Sequence, residues 1–527
     1  MFSWKFPYPS QRMPVLAKNV IATSQPLAAQ AGIAMLARGG NAVDAGLAAA
    51  ITLAVVEPTS NGIGSDVFAI LWDGQRLVGL NASGRSPAGW TPERFAGRKE
   101  MPRFGWDSVT VPGAVSSWIA LSKRYGKLPF ETLFESAIRY ARESYMVSPI
   151  TAVSWANQAP NFKGFSEFCW TFLPKDRAPY AGERFYCPQQ AETLEDIAST
   201  KGESFYRGSI AERMALASHS DDGALTADDL AAHRADWIDP ISVEYRGYHL
   251  HEMPPNGQGI AALMALGILR HFDLASFPVD SADSWHLQIE AMKLALADTW
   301  RNVTDPAAME VTPAEMLDAG YLQERARTID MKRTREHKAG IPKGGGTVYL
   351  TAADEKGMML SFIQSNYMGF GSGVVVPGTG ISLQNRGAGF SLTPGHPNLV
   401  GPRKRPFQTI IPGFLTRNGQ PVMSFGVMGG NMQAQGHVQM VVRLVDYNQN
   451  PQACSDGARW IVNTDFTVSV EDQVPSAVKE ELARRGHRMV PSDRPMFGFG
   501  GAQLIHRYDD GYCAASDHRK DGCAIGF

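Results

Sequence analysis

Residues 344–354 read GGGTVYLTAAD, a glycine run that leads straight into a threonine and a strand-like segment. From Thr347 to Ala353 the residues alternate in the manner of a β-strand. An N-terminal nucleophile needs this order, because a cut before Thr347 leaves a hydroxyl and a free α-amine on one residue. An α-amine has a pKa of about 7.7–8, so near neutral pH it is able to take the hydroxyl proton. The alternative is a glycine-rich loop that enters an ordinary strand.

The character of the chain changes on either side of this run. Met331–Lys343 (MKRTREHKAGIPK) is rich in charge and predicts an exposed linker that ends in a flexible glycine hinge. After the hinge, Thr347–Ala353 and Met358–Ser365 alternate as strands, so a helix-rich part precedes residue 340 and a strand-rich part follows it. In the first part, apolar spacing and flanking prolines predict five helices and one strand-like segment: Pro26–Ala37, Asn41–Val56, Ala114–Tyr125, Phe130–Glu143, Trp285–Arg301 and, as strand, Ile241–Met253.

The composition excludes several classes of protein. With 527 residues, 44% of them hydrophobic, and a net charge of −2, the chain is neither disordered nor charged enough to be drawn to nucleic acid. Met1–Met13 shows no secretory signal, and the longest apolar run, Ala45–Val56, is too short to span a bilayer. Five widely spaced cysteines suit free thiols in a reducing compartment. We therefore predict a cytoplasmic protein with neither a membrane nor a nucleic acid as partner.

Other catalytic signatures are absent or fail on physical grounds. The sequence contains no phosphate loop, no HExxH and no CxxC, so we expect neither a metal nor an organic cofactor. Gly84–Ala88 (GRSPA) approaches a GxSxG nucleophile elbow, but Pro87 lacks the N–H that such an elbow needs. His249 and His251 share one face of a strand and are interpreted as packed or solvated side chains. Gly369–Gly373 precedes no helix pattern and is interpreted as a close backbone approach.

The chain carries seven short motifs. Each alone is weak evidence, but their common order along the chain is specific. They are Gly39–Ala45 (GGNAVDA), Val111–Gly113 (VPG), Tyr245–Tyr248 (YRGY), Met253–Pro255 (MPP), Thr347–Asp354 (TVYLTAAD), Phe370–Gly373 (FGSG) and Gly429–Gly430. Over nearly its whole length the chain thus resembles the γ-glutamyltransferase (glutathione hydrolase) family of N-terminal-nucleophile (Ntn) hydrolases.

The resemblance implies a fold and a maturation step. The implied fold is α+β, a four-layer αββα sandwich. The family matures by cutting itself, here between Gly346 and Thr347. Residues 1–346 would form a large subunit and residues 347–527 a small one, both within one domain, and a dimer of such heterodimers is compatible with the family.

The resemblance also assigns roles residue by residue. Thr347 matches the residue that cuts the chain and then accepts the acyl group, and Ser365 matches a hydroxyl that orients it. The backbone N–H groups of Gly429 and Gly430 match the oxyanion hole, where two donors stabilise a tetrahedral oxyanion. Arg85 lies close to the position of an arginine that grips a carboxylate, and a surface arginine after a turn is the alternative there.

The chain departs from the glutathione-processing members where they hold the α-ammonium of the substrate. Residues 384–391 read QNRGAGFS, so that Arg386 and Gly389 stand where those members have an amide or carboxylate and an aspartate. Lys404-Arg405-Pro406 replaces a pair of serines, and the loop before it is shorter. A cation repels an ammonium, so we predict a substrate without an α-amine, bound by Arg386, Arg405 and Arg85, with a solvent-facing side chain as the alternative for each arginine.

At these positions the chain resembles the cytoplasmic branch of the family, which contains oxamate amidohydrolases and cephalosporin-acylase-type enzymes. The resemblance then implies a small-molecule amide substrate, oxamate foremost, hydrolysed to oxalate and ammonia through an ester on Thr347. It also implies a place in purine metabolism. The alternatives are a glutathione hydrolase or γ-glutamyltransferase, a glutaryl-cephalosporin-type acylase, and an inactive scaffold homologue.

Overall fold

Two seven-stranded antiparallel sheets form the centre of the protein. The computed structural model describes residues 11–335, 346–492 and 498–527, so the predictions for Met1–Ser10, for residues 336–343 of the linker and for Gly344 and Gly345 lie outside the described residues. The strands of the described residues are β1 Val15–Ala17, β2 Val20–Thr23, β3 Asp66–Trp72, β4 Leu77–Asn81, β5 Tyr145–Met146, β6 Arg184–Phe185, β7 Asp236–Ile238, β8 Ile241–Tyr245, β9 Tyr248–Glu252, β10 Gly346–Ala353, β11 Met359–Tyr367, β12 Val375–Val376, β13 Ile381–Ser382, β14 Gly413–Arg417, β15 Gln420–Met428, β16 Trp460–Val462, β17 Val468–Val470, β18 Gly501–Tyr508, β19 Gly511–Ser516 and β20 Cys523–Gly526.

Helices cover the outer faces of both sheets. In the described ranges the α-helices are α1 Pro26–Ala37, α2 Ala42–Val56, α3 Ala114–Tyr125, α4 Glu135–Glu143, α5 Pro149–Gln158, α6 Ser166–Phe172, α7 Pro188–Ser199, α8 Glu203–Arg207, α9 Ser209–Ser220, α10 Ala227–Ala232, α11 Gly259–Leu269, α12 Ala282–Asn302, α13 Pro313–Met316, α14 Ala319–Arg327, α15 Met432–Val445, α16 Pro451–Asp456 and α17 Ser476–Arg484. None of the described helices is both long and apolar enough to cross a membrane.

Three of the four apolar clusters formed by the described residues separate four layers. The middle core lies between the sheets and includes Phe68, Tyr349 and Phe414. The outer cores join one sheet to the helices around α2 and the other sheet to α11, α12 and α15. Because strand residues alternate between faces, Val348 packs on the helices while its neighbour Tyr349 packs on the other sheet. The predicted α+β class and its αββα layering are therefore confirmed.

The helix α2 shows how the sequence builds the layer behind one sheet. All fifteen of its residues are buried, as expected for a helix that is apolar on every side. The side chain of Asn41 accepts hydrogen bonds from the N–H groups of Val43 and Asp44, and Asp44 accepts one from the N–H of Asn41. This capping box fixes where the helix begins.

The two sheets mix strands from both parts of the chain. One sheet has the order β20-β2-β10-β11-β3-β4-β7 and the other β1-β19-β18-β15-β14-β9-β8. The predicted division into a helix-rich and a strand-rich part stays a prediction; β1–β4 and β7–β9, which precede residue 340, join the same two sheets as the strands that follow it. Neither part forms a complete sheet alone, because strands of one part pair with strands of the other: β10 pairs with β2, and β11 pairs with β3.

Most predicted elements form within a few residues of their expected bounds. The helices at Pro26–Ala37 and Ala114–Tyr125 begin and end as predicted. Phe130–Glu143 instead starts as a 3₁₀ turn before α4 begins at Glu135. The strand-like segment Ile241–Met253 is a hairpin of β8 and β9, because Arg246 and Gly247 adopt positive φ angles of 55° and 79°.

Candidate active site

Thr347 lies on β10 beside the space between the two sheets. The pairing of β10 with β11 is irregular between Gly346 and Val348, where Thr347 stands opposite two residues of β11, Ser365 and Asn366. The side chain is buried, and its Oγ1 lies 3.2 Å from the Oγ of Ser365 on β11. Ser365 Oγ also accepts a hydrogen bond of 2.8 Å from the N–H of Tyr367. The two central strands therefore bring together the hydroxyls that the sequence singled out.

A glutamine that the sequence analysis did not identify completes this group. Gln433, on α15, is fully buried and its Nε2 donates to Thr347 Oγ1 at 3.3 Å. Its Oε1 accepts from the N–H of Ile411 at 3.0 Å. The one signal in the sequence is its place in the helix that starts directly after Gly429–Gly430.

Gly429 and Gly430 form the tight turn between β15 and α15. Their φ angles are 126° and 61°, values that a residue with a side chain rarely adopts. Within the described ranges, neither N–H has an acceptor. Gln258 Nε2 donates to the carbonyl of Gly430 at 2.9 Å and to that of Thr409 at 2.6 Å, which ties the turn to the segment after Arg405. The turn is held in place while its N–H groups stay available to a substrate oxygen.

Arg386 is a fully buried cation next to this group. Its Nη1 donates to Thr409 Oγ1 at 2.9 Å, and its guanidinium lies over the ring of Tyr367 with 4.6 Å to the centroid. Tyr367 pairs with Gly346 across β10 and β11. Nε and Nη2 of Arg386 have no partner among the described residues. These two groups form one edge of the guanidinium, the edge that binds a carboxylate with two parallel hydrogen bonds.

Asp66 is a second buried charge that the sequence analysis did not select. It lies on β3 directly opposite Ser365 and accepts hydrogen bonds from the N–H groups of Gly84 and Gly113 and from Gln408 Nε2. Burial raises the pKa of Asp66 to about 6, although the nearby charge of Arg386 opposes this shift. Burial also lowers the pKa of Arg386 to about 10, so the guanidinium stays charged at neutral pH.

Arg85 and Arg405 lie in a neighbouring cluster of ion pairs. Arg85 is 44% exposed and binds Asp305 at 2.9 Å, and Arg405 binds Asp236 at 2.7 Å. The backbone N–H of Arg405 donates to the same Asp305. Arg85 and Asp236 also line a cavity of about 120 Å³. The structure joins both arginines to aspartates, and their contact with substrate stays a prediction.

Other residues from the sequence analysis have ordinary partners. Ser86 Oγ donates to the carbonyl of Gly401 and accepts from the N–H of Lys404, so it is engaged in loop contacts. His251 bonds Thr416 Oγ1 at 2.8 Å on the outer part of the sheet. No group of three or more His, Cys, Asp or Glu residues in the described chain is placed to hold a metal ion.

The site thus combines three chemical elements within one hydrogen-bonded network. A buried threonine oxygen has a hydroxyl and an amide as neighbours, two backbone donors stand at the turn before α15, and a buried guanidinium offers a free edge. This set suits attack on an amide carbonyl that lies beside an anionic group.

Comparisons with known proteins agree with this geometry. The family model described as Gamma-glutamyltranspeptidase matches residues 28–527. An oxamate amidohydrolase proenzyme of Klebsiella pneumoniae is 34% identical over 519 residues, covering 95% of this chain and 97% of that protein. A glutathione hydrolase-like proenzyme of Bacillus subtilis is 33% identical over 523 residues, covering 97% and 98%. The crystal structure of a cephalosporin acylase from Bacillus halodurans superposes with a TM-score of 0.94 at 46% identity, covering 100% of this chain and 99% of that one.

Proposed function

Because this chain belongs to the gamma-glutamyltranspeptidase family, we propose that it cuts itself before Thr347 and then hydrolyses small anionic amides without an α-amine, oxamate foremost. The chain is a hydrolase of the Ntn type, related to proenzymes that are cleaved into two subunits. What the proposal adds is the nucleophile, the large and small subunits at 1–346 and 347–527, and the substrate.

The proposed maturation starts from the uncut chain. Thr347 Oγ attacks the carbonyl carbon of Gly346, and the peptide bond is exchanged for an ester. Water then hydrolyses the ester, which releases the carboxylate of Gly346 and the α-amine of Thr347. The buried position of Thr347 beside Ser365 supports this step, because both strands hold the oxygen next to the bond that breaks.

The same oxygen serves in turnover. The free α-amine takes the proton of Oγ, and Oγ attacks the amide carbonyl of the substrate. The N–H groups of Gly429 and Gly430 bind the oxyanion, the amine returns the proton to the departing ammonia, and an oxalyl ester remains on Thr347. Water hydrolyses this ester, so that oxamate and water yield oxalate and ammonium.

The free edge of Arg386 is the single observation that carries the choice of substrate class. A buried guanidinium with two nitrogens that have no partner in the described part of the chain is costly unless an anion binds it. The cation also disfavours an ammonium at the same place. Oxamate meets both conditions, because its carboxylate is bonded directly to the amide carbon and it has no ammonium.

A second candidate function is supported by the likeness to the cephalosporin acylase. At 46% identity over the whole chain, that structure is more similar than the oxamate amidohydrolase at 34%. A glutaryl amide also has a carboxylate and no α-amine, but three methylenes separate its carboxylate from the amide. The two candidates therefore differ in the distance between Arg386 and the reacting carbonyl.

A series of amides tests both candidates. Ammonia release is measured with purified, self-cleaved protein on oxamate, malonamate, succinamate and glutaramate, and on glutamine, which differs from glutaramate only by the α-ammonium. We expect kcat/KM to be highest for oxamate and glutaramate to be preferred to glutamine. A maximum at glutaramate would favour the acylase, and a preference for glutamine over glutaramate would contradict an amine-free substrate.

Thr347→Ala is the matching variant for the nucleophile. Without Oγ it should remain a single 57.4 kDa chain on a denaturing gel and release no ammonia, whereas Thr347→Ser, which keeps the oxygen, should still split. A Thr347→Ala protein that splits in two would rule out Thr347 as the self-cleaving residue.

A further inference from the structure

We propose that Gln433 is a further catalytic residue, whose side-chain amide holds Thr347 Oγ1 and stabilises the negative charge that forms there. The inference rests on the proposed function, since it takes Thr347 as the nucleophile. It adds a residue that the family resemblance did not assign and that the sequence analysis did not find.

The orientation of the Gln433 amide is set by its two partners. Nε2 lies 3.3 Å from Thr347 Oγ1, and Oε1 accepts from the N–H of Ile411 at 3.0 Å. A flipped amide would place its NH₂ group against the N–H of Ile411, where two donors repel each other. Gln433 therefore donates to the threonine oxygen and does not accept from it.

This donation decides where the proton of Thr347 goes. Oγ1 has one proton and two lone pairs, and Gln433 occupies one lone pair. The proton is then directed away from Gln433, towards the side of Ser365 Oγ, 3.2 Å away, or, once the chain is cut, towards the residue's own α-amine. As the proton leaves, the charge on Oγ1 grows next to a donor that is already in place. Such a donor is most effective where water is scarce, and Thr347 is buried.

The chain around Gln433 couples it to the oxyanion turn. Gln433 is the second residue of α15, and its N–H donates to the carbonyl of Gly430 at 3.2 Å. Gln258 holds the same carbonyl from the other side. One turn of chain thus carries both the donors for the substrate oxygen and the donor for the nucleophile, so their relative positions are fixed together.

Gln433→Met tests the role with a side chain of similar length and no donor. We expect self-cleavage and kcat to fall about tenfold to a hundredfold, with KM for oxamate unchanged, because the donor acts on the nucleophile rather than on the substrate. Gln439→Met is the matched control: Gln439 is also buried on α15, but its amide donates to the carbonyl of Trp460 and accepts from the N–H of Trp460, and it does not touch Thr347. The control should retain both rates within about twofold.

Gln433→Glu separates a catalytic from a structural role. Glutamate keeps the acceptor for Ile411, but an ionised carboxylate accepts from Thr347 and repels its developing charge. Its self-cleavage should therefore be slow at neutral pH and recover as the pH falls and the carboxyl group becomes a donor. A residue that merely packs would not move the pH profile.

Each outcome has a distinct meaning. Wild-type rates in Gln433→Met, or equal losses in Gln433→Met and Gln439→Met, would overturn the role of Gln433 while leaving Thr347 as the nucleophile. A flat pH response of Gln433→Glu would also overturn it. If Thr347→Ala still splits in the same assay, the proposed function fails instead, and the two failures cannot be confused.

Discussion

Asp66 and Arg386 are opposite charges buried near each other beside Thr347. With a pKa of about 6, the Asp66 carboxyl is neutral in mild acid and ionised above it, while Arg386 stays charged throughout. Below pH 6 the guanidinium therefore has no counter-charge from Asp66. Above pH 6 the carboxylate competes with an anionic substrate for it.

This competition predicts a pH-dependent KM. We expect KM for oxamate to rise about threefold to tenfold as the pH increases from 5 to 7, an interaction on the order of 1 kcal/mol. Asp66→Asn, which keeps an oxygen for Gly84 and Gly113, should hold KM at its low value over this range. Arg386→Gln should raise KM and remove the dependence. A wild-type KM that falls with pH, or an unchanged slope in Asp66→Asn, would contradict the coupling.

The site residues differ in how far the sequence could predict them. The sequence predicts Thr347 as the nucleophile from a local pattern, because the glycines, the hydroxyl and the strand are contiguous. Gln433 lies 86 residues away from the threonine that it contacts, and no local pattern marks it. Asp66 reads as the first residue of an apolar strand, and only the pairing of β3 with β11 places it opposite Ser365.

At the scale of elements, α2 supports the strand that carries Thr347. The helix packs against β10 and β11, and its start depends on a single polar cap. Both polar atoms of the Asn41 side chain form hydrogen bonds there, since Nδ2 also donates to the carbonyl of Tyr125 at 2.7 Å. The stability of the catalytic strand is thus linked to one residue at a helix end.

Removing this cap should weaken the whole domain. Asn41→Ala is expected to lower the free energy of unfolding by about 1–2 kcal/mol, because two N–H groups of the first turn lose their acceptor. Thr226→Ala removes the same kind of capping box from the six-residue helix α10 and should cost less, since a short helix frays locally. Urea unfolding followed by circular dichroism measures both, and a larger loss in Thr226→Ala would contradict this ranking.

Helices were easier to predict than the arrangement of strands. The caps at Gln25 and Asn41 and the glycines after Ala37 and Tyr125 are local signals, so α1 and α3 match the predicted bounds and α2 begins one residue after its predicted start. The pairing of β10 with β2 joins residues more than 300 positions apart and leaves no local trace. For this reason the contrast between helix-rich and strand-rich parts says nothing about which strands share a sheet.

At the scale of the whole molecule, the order of strands determines what a cut can do. A cut before Thr347 falls at the edge of β10, which lies between β2 from the first part and β11 from the second. On the far side of β2 lies β20, again from the second part. Backbone hydrogen bonds and the three apolar cores that separate the layers therefore cross the boundary between the proposed subunits.

We expect the cut protein to stay together. Subunits of 346 and 527 − 346 = 181 residues should separate on a denaturing gel yet elute as one particle from a sizing column in native buffer. Uncut Thr347→Ala serves as the reference and should elute at the same volume. Separation of the two pieces without denaturant would contradict the interleaved sheets.

The pairing of β2 with β20 also brings Phe527 beside the residues that precede β2. The carbonyl of Phe527 accepts from the N–H groups of Lys18 and Asn19, at 3.2 and 3.0 Å. A peptide long enough to run back along β1 would therefore join Phe527 to Gln11, and the gene could be reordered to open at Thr347 and close at Arg335. Such a circular permutant would leave the ribosome with the threonine amine free once the initiator methionine is removed. The permutant would then be active as synthesised, without any self-cleavage.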